Sequence, residues 1–248
     1  MTETDTDVDF GLRKVKSTEK DALVADVFRR VASRYDVMND LMSLGTHRIF
    51  KQMVVQMSAV RPGHVVLDLA GGTGDLSALF CREVGSEGCV VLADPNSDML
   101  AVGRERLWDK GLTNVKFCRT PGEHLPFADA TFDVACISFG LRNFTDKDQA
   151  LSELLRCLKP GAALLVLEFS QPELPLVKHA YEAFQRLWPL AGQAIVGDGS
   201  PYQYLVESIR VHPDQKALKQ MFEDAGFIDC EYHNLFSGVA AIHRGIRP

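Results

Sequence analysis

Short apolar runs alternate with amphipathic stretches along the middle of the chain, at the two periods that separate strands from helices. Residues 65–70, 90–93, 115–118, 134–138 and 164–169 are brief and mainly apolar, as in strands covered on both faces. Between them, 75–84, 97–110 and 146–158 read as helices. This alternation predicts βαβ units and a mainly parallel sheet. Two amphipathic segments, 21–32 and 46–57, precede that core. A helix near 214–225 and two strands, 230–234 and 239–242, follow it, and the late strand pair predicts an antiparallel edge.

Composition narrows the picture. The chain has 248 residues, enough for one large domain on a prior of about 150 residues per domain. Hydrophobic residues make up 46% and charged residues 24%, which suits a globular protein and excludes a disordered or fibrous one. No apolar run approaches the ~18 residues of a membrane span. The net charge of −6 argues against a general nucleic-acid binder, which needs a basic face. Glu3, Asp5, Asp7 and Asp9 precede the first basic residue, Arg13, the reverse of a targeting peptide, so a cytoplasmic start is expected. The six cysteines form no CxxC pair and the seven histidines no ligand set, so the cysteines read as reduced core residues and no metal is expected.

The chemistry starts at Val65-Val66-Leu67-Asp68-Leu69-Ala70-Gly71-Gly72-Thr73-Gly74, a strand entering a glycine turn ahead of a helix. Glycines let backbone close on a ligand, and the helix start offers unpaired N–H groups; the plain alternative is a bare strand-to-helix turn. A dinucleotide fingerprint is weakened because Ser77 stands where the third glycine belongs and no Tyr-x-x-x-Lys pair exists, although fold alone does not exclude a hydride-transferring enzyme. No Gly-Lys-Ser/Thr follows, so a P-loop fails. What fits is a nucleoside whose ribose is held by an acid closing the second strand. Asp94, 22 residues after Gly72, is that acid, unless it caps the next helix, a position for which Ser97 competes.

Three further stretches carry a specific resemblance. They are Val31-Ala32-Ser33-Arg34-Tyr35-Asp36-Val37-Met38-Asn39-Asp40 with Gly45-Thr46-His47-Arg48; Phe139-Gly140-Leu141-Arg142-Asn143-Phe144-Thr145-Asp146; and the segment from Tyr204 to Gln215. With the glycine loop they resemble the ubiquinone/menaquinone biosynthesis C-methyltransferase (UbiE-type) family of class I S-adenosylmethionine (SAM) methyltransferases. The resemblance implies an α/β Rossmann-like fold: a seven-stranded, mainly parallel sheet with an antiparallel edge hairpin, extra N-terminal helices and a helical insertion before the last strands. It implies a flexible acidic start over residues 1–20, a helical lid over 21–60, and a methyltransferase domain over 61–248 with 172–212 as a substrate lid. The cofactor implied is S-adenosyl-L-methionine, held by Gly72, Thr73, Asp94, Pro121, Gly122 and Ser138. Pro121-Gly122 stands where the family usually has Asn-Ala, so one adenine contact is lost at about 1 kcal/mol.

The substrate implied is a polyprenyl hydroquinol, methylated at a ring carbon in quinone biosynthesis; another small hydroxylated or lipid acceptor is the alternative. A phenol is only about 0.1% ionised at pH 7, and a neighbouring cation raises that fraction. Arg142 is the candidate cation, with a surface ion pair as its plainer role. Asn143 can orient the same hydroxyl, and Tyr35 is either a lid over cofactor and ring or an interface residue. His47, Arg48 and Lys51 share a helix face toward solvent or an anionic membrane. Glu207 and Arg210 pair with each other or reach the head group. Val177, Tyr181, Phe184 and Trp188 form a stripe that is either core or a groove for the tail, broken by Pro189, Gly192, Gly197 and Gly199. Peripheral association with the cytoplasmic membrane, a quinone-biosynthesis complex and a homodimer all remain open, with no nucleic-acid partner.

Overall fold

The computed structural model describes residues 5–31, 40, 43 and 45–248. The chain opens with a small antiparallel hairpin, β1 (Asp7–Phe10) and β2 (Arg13–Lys16), then α1 (Ser17–Val31) and α2 (His47–Met57). The Rossmann core follows as β3 (Val65–Leu69), α3 (Asp75–Val84), β4 (Cys89–Ala93), α4 (Ser97–Asp109), β5 (Val115–Cys118), β6 (Phe132–Ser138), α5 (Lys147–Cys157) and β7 (Leu158–Phe169). Three helices, α6 (Pro175–Gln185), α7 (Trp188–Val196) and α8 (Ser200–Val211), lead to α9 (Gln215–Asp224), β8 (Ile228–Leu235) and β9 (Ala240–Ile246).

The sheet order is β5-β4-β3-β6-β7-β9-β8. The first five strands run parallel, while β9 is antiparallel to both β7 and β8, the expected antiparallel edge. Strand side chains alternate between faces. Val66, Leu92, Cys136 and Leu165 pack toward α2, α3 and α4, whereas Leu67, Val91, Ile137 and Val166 pack toward α5 and α9. Both faces are covered, which is why these strands read as continuous apolar runs. Local signals set the helix starts: Asn96, Asp146 and Asp214 cap α4, α5 and α9 through their side-chain oxygens. The cap of α4 is thus Asn96, not Ser97 or Asp94.

Several boundaries differ from expectation. Residues 7–16 form a hairpin and α1 begins at Ser17, where a flexible acidic start was expected. The segment 21–60 is not one lid, because α2 contributes Phe50, Val54 and Val55 to the core. β7 begins at Leu158, and its pairing with β6 skips from Leu158 to Ala163; the polar and Pro-Gly residues in that bulge hid the strand's start. In the insertion, Pro175, Pro189 and Pro201 each sit in a helix's first turn, where the missing N–H costs nothing. Tyr181, Phe184 and Trp188 pack with Tyr202, Leu205 and Ile209, so most of the stripe is a satellite core rather than an open groove.

All six cysteines are unbridged. Burial raises every one of their thiols, Cys81 to about 12 and Cys157 to about 11.

Leu165 lies on the interior strand β7, opposite Cys136 of β6, and is fully buried. Leu165→Ala is expected to lower unfolding stability by about 2–5 kcal/mol, read from urea denaturation with an unchanged slope.

Candidate functional site

The carboxyl ends of β3, β4, β5 and β6 open into a cavity of about 470 Å³, the position at which open α/β sheets bind ligands. Ala70 and Gly72 line it from the loop after β3, Asp94 to Asn96 from the loop after β4, and Pro121 and Gly122 after β5. Phe139, Gly140, Asn143 and Phe144 line it after β6. Its outer wall is α1, through Asp21, Ala22, Val24, Ala25 and Phe28.

Asp94 joins the first two loops. Its Oδ2 accepts from the Gly72 amide at 3.0 Å and its Oδ1 from the Asn96 amide at 2.8 Å. Burial raises its carboxyl to about 6, against the lowering effect of those two N–H groups. Gly72 adopts φ +56°, a left-handed conformation that suits glycine. At Gly122 a Cβ would lie 2.3 Å from the Phe144 ring, so only glycine lets that ring close over the Pro121-Gly122 edge.

Beneath the glycine loop, Asp68 is fully buried and raised by burial to about 6. Its Oδ2 accepts from the Ser77 hydroxyl at 2.6 Å, while Oδ1 has no hydrogen-bond partner among the described residues. An orphaned buried carboxylate oxygen is costly; Asp68 is not itself among the residues lining the cavity but lies against the glycine turn at its edge. The carboxylate at the second loop, the glycine edges and the apolar walls fit a nucleoside with a charged amino-acid end, as S-adenosylmethionine has.

Not every expected residue reaches the cavity. Thr73 is buried and accepts from Arg106 Nη1 at 2.9 Å, facing α4 rather than the cavity. Ser138 is outside the lining, and its buried hydroxyl has no partner among the described residues. Tyr35 lies outside the described residues.

Arg142 is displaced from its expected role. Its Nη1 pairs with Glu168 Oε1 at 2.9 Å and also donates to the Phe139 carbonyl, and the Glu168 carboxylate accepts from the Arg142 amide at 3.2 Å. Its guanidinium carbon lies 5.5 Å from the centre of the Phe169 ring. Both ion-pair partners are buried, so Arg142 is neither a surface ion pair nor a lone cation at the crevice. Asn143 does line the cavity, and its Oδ1 accepts from the Tyr204 hydroxyl at 3.1 Å.

Other charged residues separate in the same way. Lys51 is buried and pairs with Asp75 at 3.1 Å, His47 is buried against Ser43, and Arg48 is exposed beside Asp40, so the three do not present one surface. Glu207 accepts from the Leu12 amide and from Gln203, not from Arg210. The helical cover expected over 21–60 is supplied by α1, whose Val24 and Phe28, four apart on one helix face, line the cavity. Glu168 and Tyr204, whose partners are distant in the chain, were not singled out as site residues.

The profile of the ubiE/COQ5 methyltransferase family matches residues 13–247. The ubiquinone/menaquinone biosynthesis C-methyltransferase UbiE of Cellvibrio japonicus is 53% identical over 241 residues, covering 96% of this chain and 97% of its own length. The protein of the same name from Hahella chejuensis is 53% identical over 249 residues and covers 100% of both. A SAM dependent methyltransferase from Aquifex aeolicus matches with a TM-score of 0.62 at 18% identity, over 85% of this chain and 98% of that one, a likeness of fold.

The pH dependence of binding follows from Asp94. An ionised carboxylate accepts from both ribose hydroxyls and does so more strongly than its protonated form, and a carboxyl raised to about 6 regains its proton as pH falls through that value. Affinity for S-adenosylmethionine is expected to fall between pH 7 and pH 5, approaching about tenfold per unit below 6. Asp94→Asn is expected to bind weakly with a flatter profile, as calorimetry across that range would show.

Proposed function

The chain belongs to the ubiE/COQ5 methyltransferase family, and on that premise we propose that it methylates a ring carbon of a polyprenyl hydroquinol, as a SAM-dependent C-methyltransferase of ubiquinone and menaquinone biosynthesis. The observation that carries this reading is one cavity holding both the Asp94 carboxylate and the Asn143 amide. The first suits the donor's ribose and the second an acceptor's hydroxyl.

When bound, S-adenosylmethionine supplies an electrophilic methyl carbon. Asp94, Gly72, Pro121 and Gly122 would hold it, with Asp68 toward its amino-acid end and Thr73 and Ser138 supporting the loops behind. Phe28, Phe139 and Phe144 give the cavity apolar walls that exclude water and strengthen polar contacts inside. Asn143 donates its amide N–H to the acceptor's oxygen, which favours the ionised phenol and directs electron density to the ring carbon. Arg142, neutralised by Glu168, acts by holding the backbone that carries Asn143. Among the described lining residues there is no histidine, so the ring proton leaves by a carboxylate such as Asp21 or by solvent.

No helix of the described residues is long and apolar enough to cross a membrane. Leu174, Leu176, Leu187 and Leu190 on the insertion are 56–82% exposed, an apolar face that suits peripheral contact with the bilayer holding the tail.

Two measurements test the reading. Labelled S-adenosylmethionine with short-tailed prenyl quinols should place the methyl on ring carbon with reduced acceptors only; a methyl found on oxygen would overturn it. Asn143→Ala should slow turnover by about 10²-fold while leaving cofactor affinity within a factor of two or so.

A further inference from the structure

The N-terminal hairpin is seated on α8, on the far side of the residues after β6. At its turn, Gly11 has φ +60° and a Cβ there would lie 2.3 Å from Glu207 Oε2. Only glycine lets the turn settle on that carboxylate, which then accepts from the Leu12 amide at 3.3 Å. The preceding residue, Phe10, is buried and stacks on the Tyr204 ring with centroids 4.4 Å apart and planes at 27°. The Arg13 guanidinium covers its ring at 4.8 Å. Tyr204 in turn directs its hydroxyl to Asn143 Oδ1. The hairpin therefore reaches a cavity-lining side chain through one intermediary.

That intermediary decides which end of an amide faces the ligand. An asparagine side chain has an acceptor oxygen and a donor NH₂ of nearly equal size, and only its hydrogen bonds choose between the two orientations. With Oδ1 accepting from the Tyr204 hydroxyl, Nδ2 is the polar end left for the cavity; the reversed amide would make that hydroxyl the acceptor and leave its O–H proton, on a buried residue, unpaired at a cost. A phenol oxygen that is becoming anionic needs a donor. The reversed amide would present an oxygen and repel it.

We infer that Tyr204 is a positioning residue for methyl transfer: it fixes the Asn143 amide with its NH₂ toward the acceptor oxygen, and the N-terminal hairpin holds Tyr204 in place through Phe10. This rests on the reading that Asn143 touches the acceptor. Burial raises the Tyr204 phenol to about 12, so it stays protonated and able to donate across the working range. The second clamp is independent: Lys20 on α1 donates to the Phe144 carbonyl at 2.8 Å, and the Thr145 hydroxyl donates to Asp21 at 2.9 Å. Asn143 is thus held by Tyr204, itself packed on the N-terminal hairpin, and the two residues that follow it are held by α1.

The test is a double-mutant cycle on the full-length enzyme. Tyr204→Phe keeps the ring stack and removes only the hydroxyl. It is expected to lower kcat about tenfold, to weaken calorimetric binding of a reduced, short-tailed quinol several-fold, and to leave S-adenosylmethionine affinity unchanged. In an Asn143→Ala background the same substitution should change neither kcat nor quinol binding. Phe10→Leu, which touches neither ligand, should produce a smaller loss that also vanishes in that background. If Tyr204→Phe slows the parent and Asn143→Ala enzymes by the same factor, or weakens cofactor and quinol binding equally, the positioning role is wrong while the reading of Asn143 stands. If Asn143→Ala itself retains full turnover, the reading of Asn143 fails and the inference falls with it.

Discussion

The bonds from the Gly72 and Asn96 amides to the Asp94 carboxylate tie the loop after β3 to the loop after β4. The shape of the cavity depends on them. The parallel strands all end on one edge of the sheet, and the loop after each of β3, β4 and β6 leads into a helix whose first N–H groups are unpaired, so such donors gather on that edge. A buried carboxylate there orders two loops at once. Its cost is visible in the raised proton affinity of Asp94, and a ligand bringing two hydroxyl donors offsets that cost.

Arg142 and Asn143 are consecutive residues with opposite assignments. A 3-10 turn, Leu141–Asn143, points one inward to Glu168 and the other into the cavity. A guanidinium paired at 2.9 Å with a buried carboxylate presents little net charge to a neighbour, and breaking such a pair costs about 3–5 kcal/mol. The charge anchors the loop, and the neutral amide lines the cavity.

Most of the fold was legible because both faces of the sheet are covered. Runs such as Val65–Leu69 and Phe132–Ser138 declare themselves by apolarity alone, and the helix between successive strands forces parallel order. Asp94 was legible too, since its distance from Gly72 is set by one βαβ unit. Arg142 was misread because chain position placed it at a strand's end but could not show Glu168, 26 residues away, waiting beneath it. The contact of Tyr204 with Asn143 was invisible for the same reason: periodicity says that a face is buried, not against what. The hairpin over residues 7–16 was hidden by its charges, which lie on exposed strands and pair across them as Lys14 with Asp9 and Lys16 with Asp7.

The buried thiols have a bearing on the company this polypeptide keeps. A hydroquinol is one oxidation away from a quinone, and quinones are electrophiles that trap thiolates as covalent adducts. A thiol with a proton affinity above that of free cysteine is ionised to no more than about 3% near neutrality. With all six sulfurs held in that state by their surroundings, the molecule offers its own reactive acceptor little to alkylate.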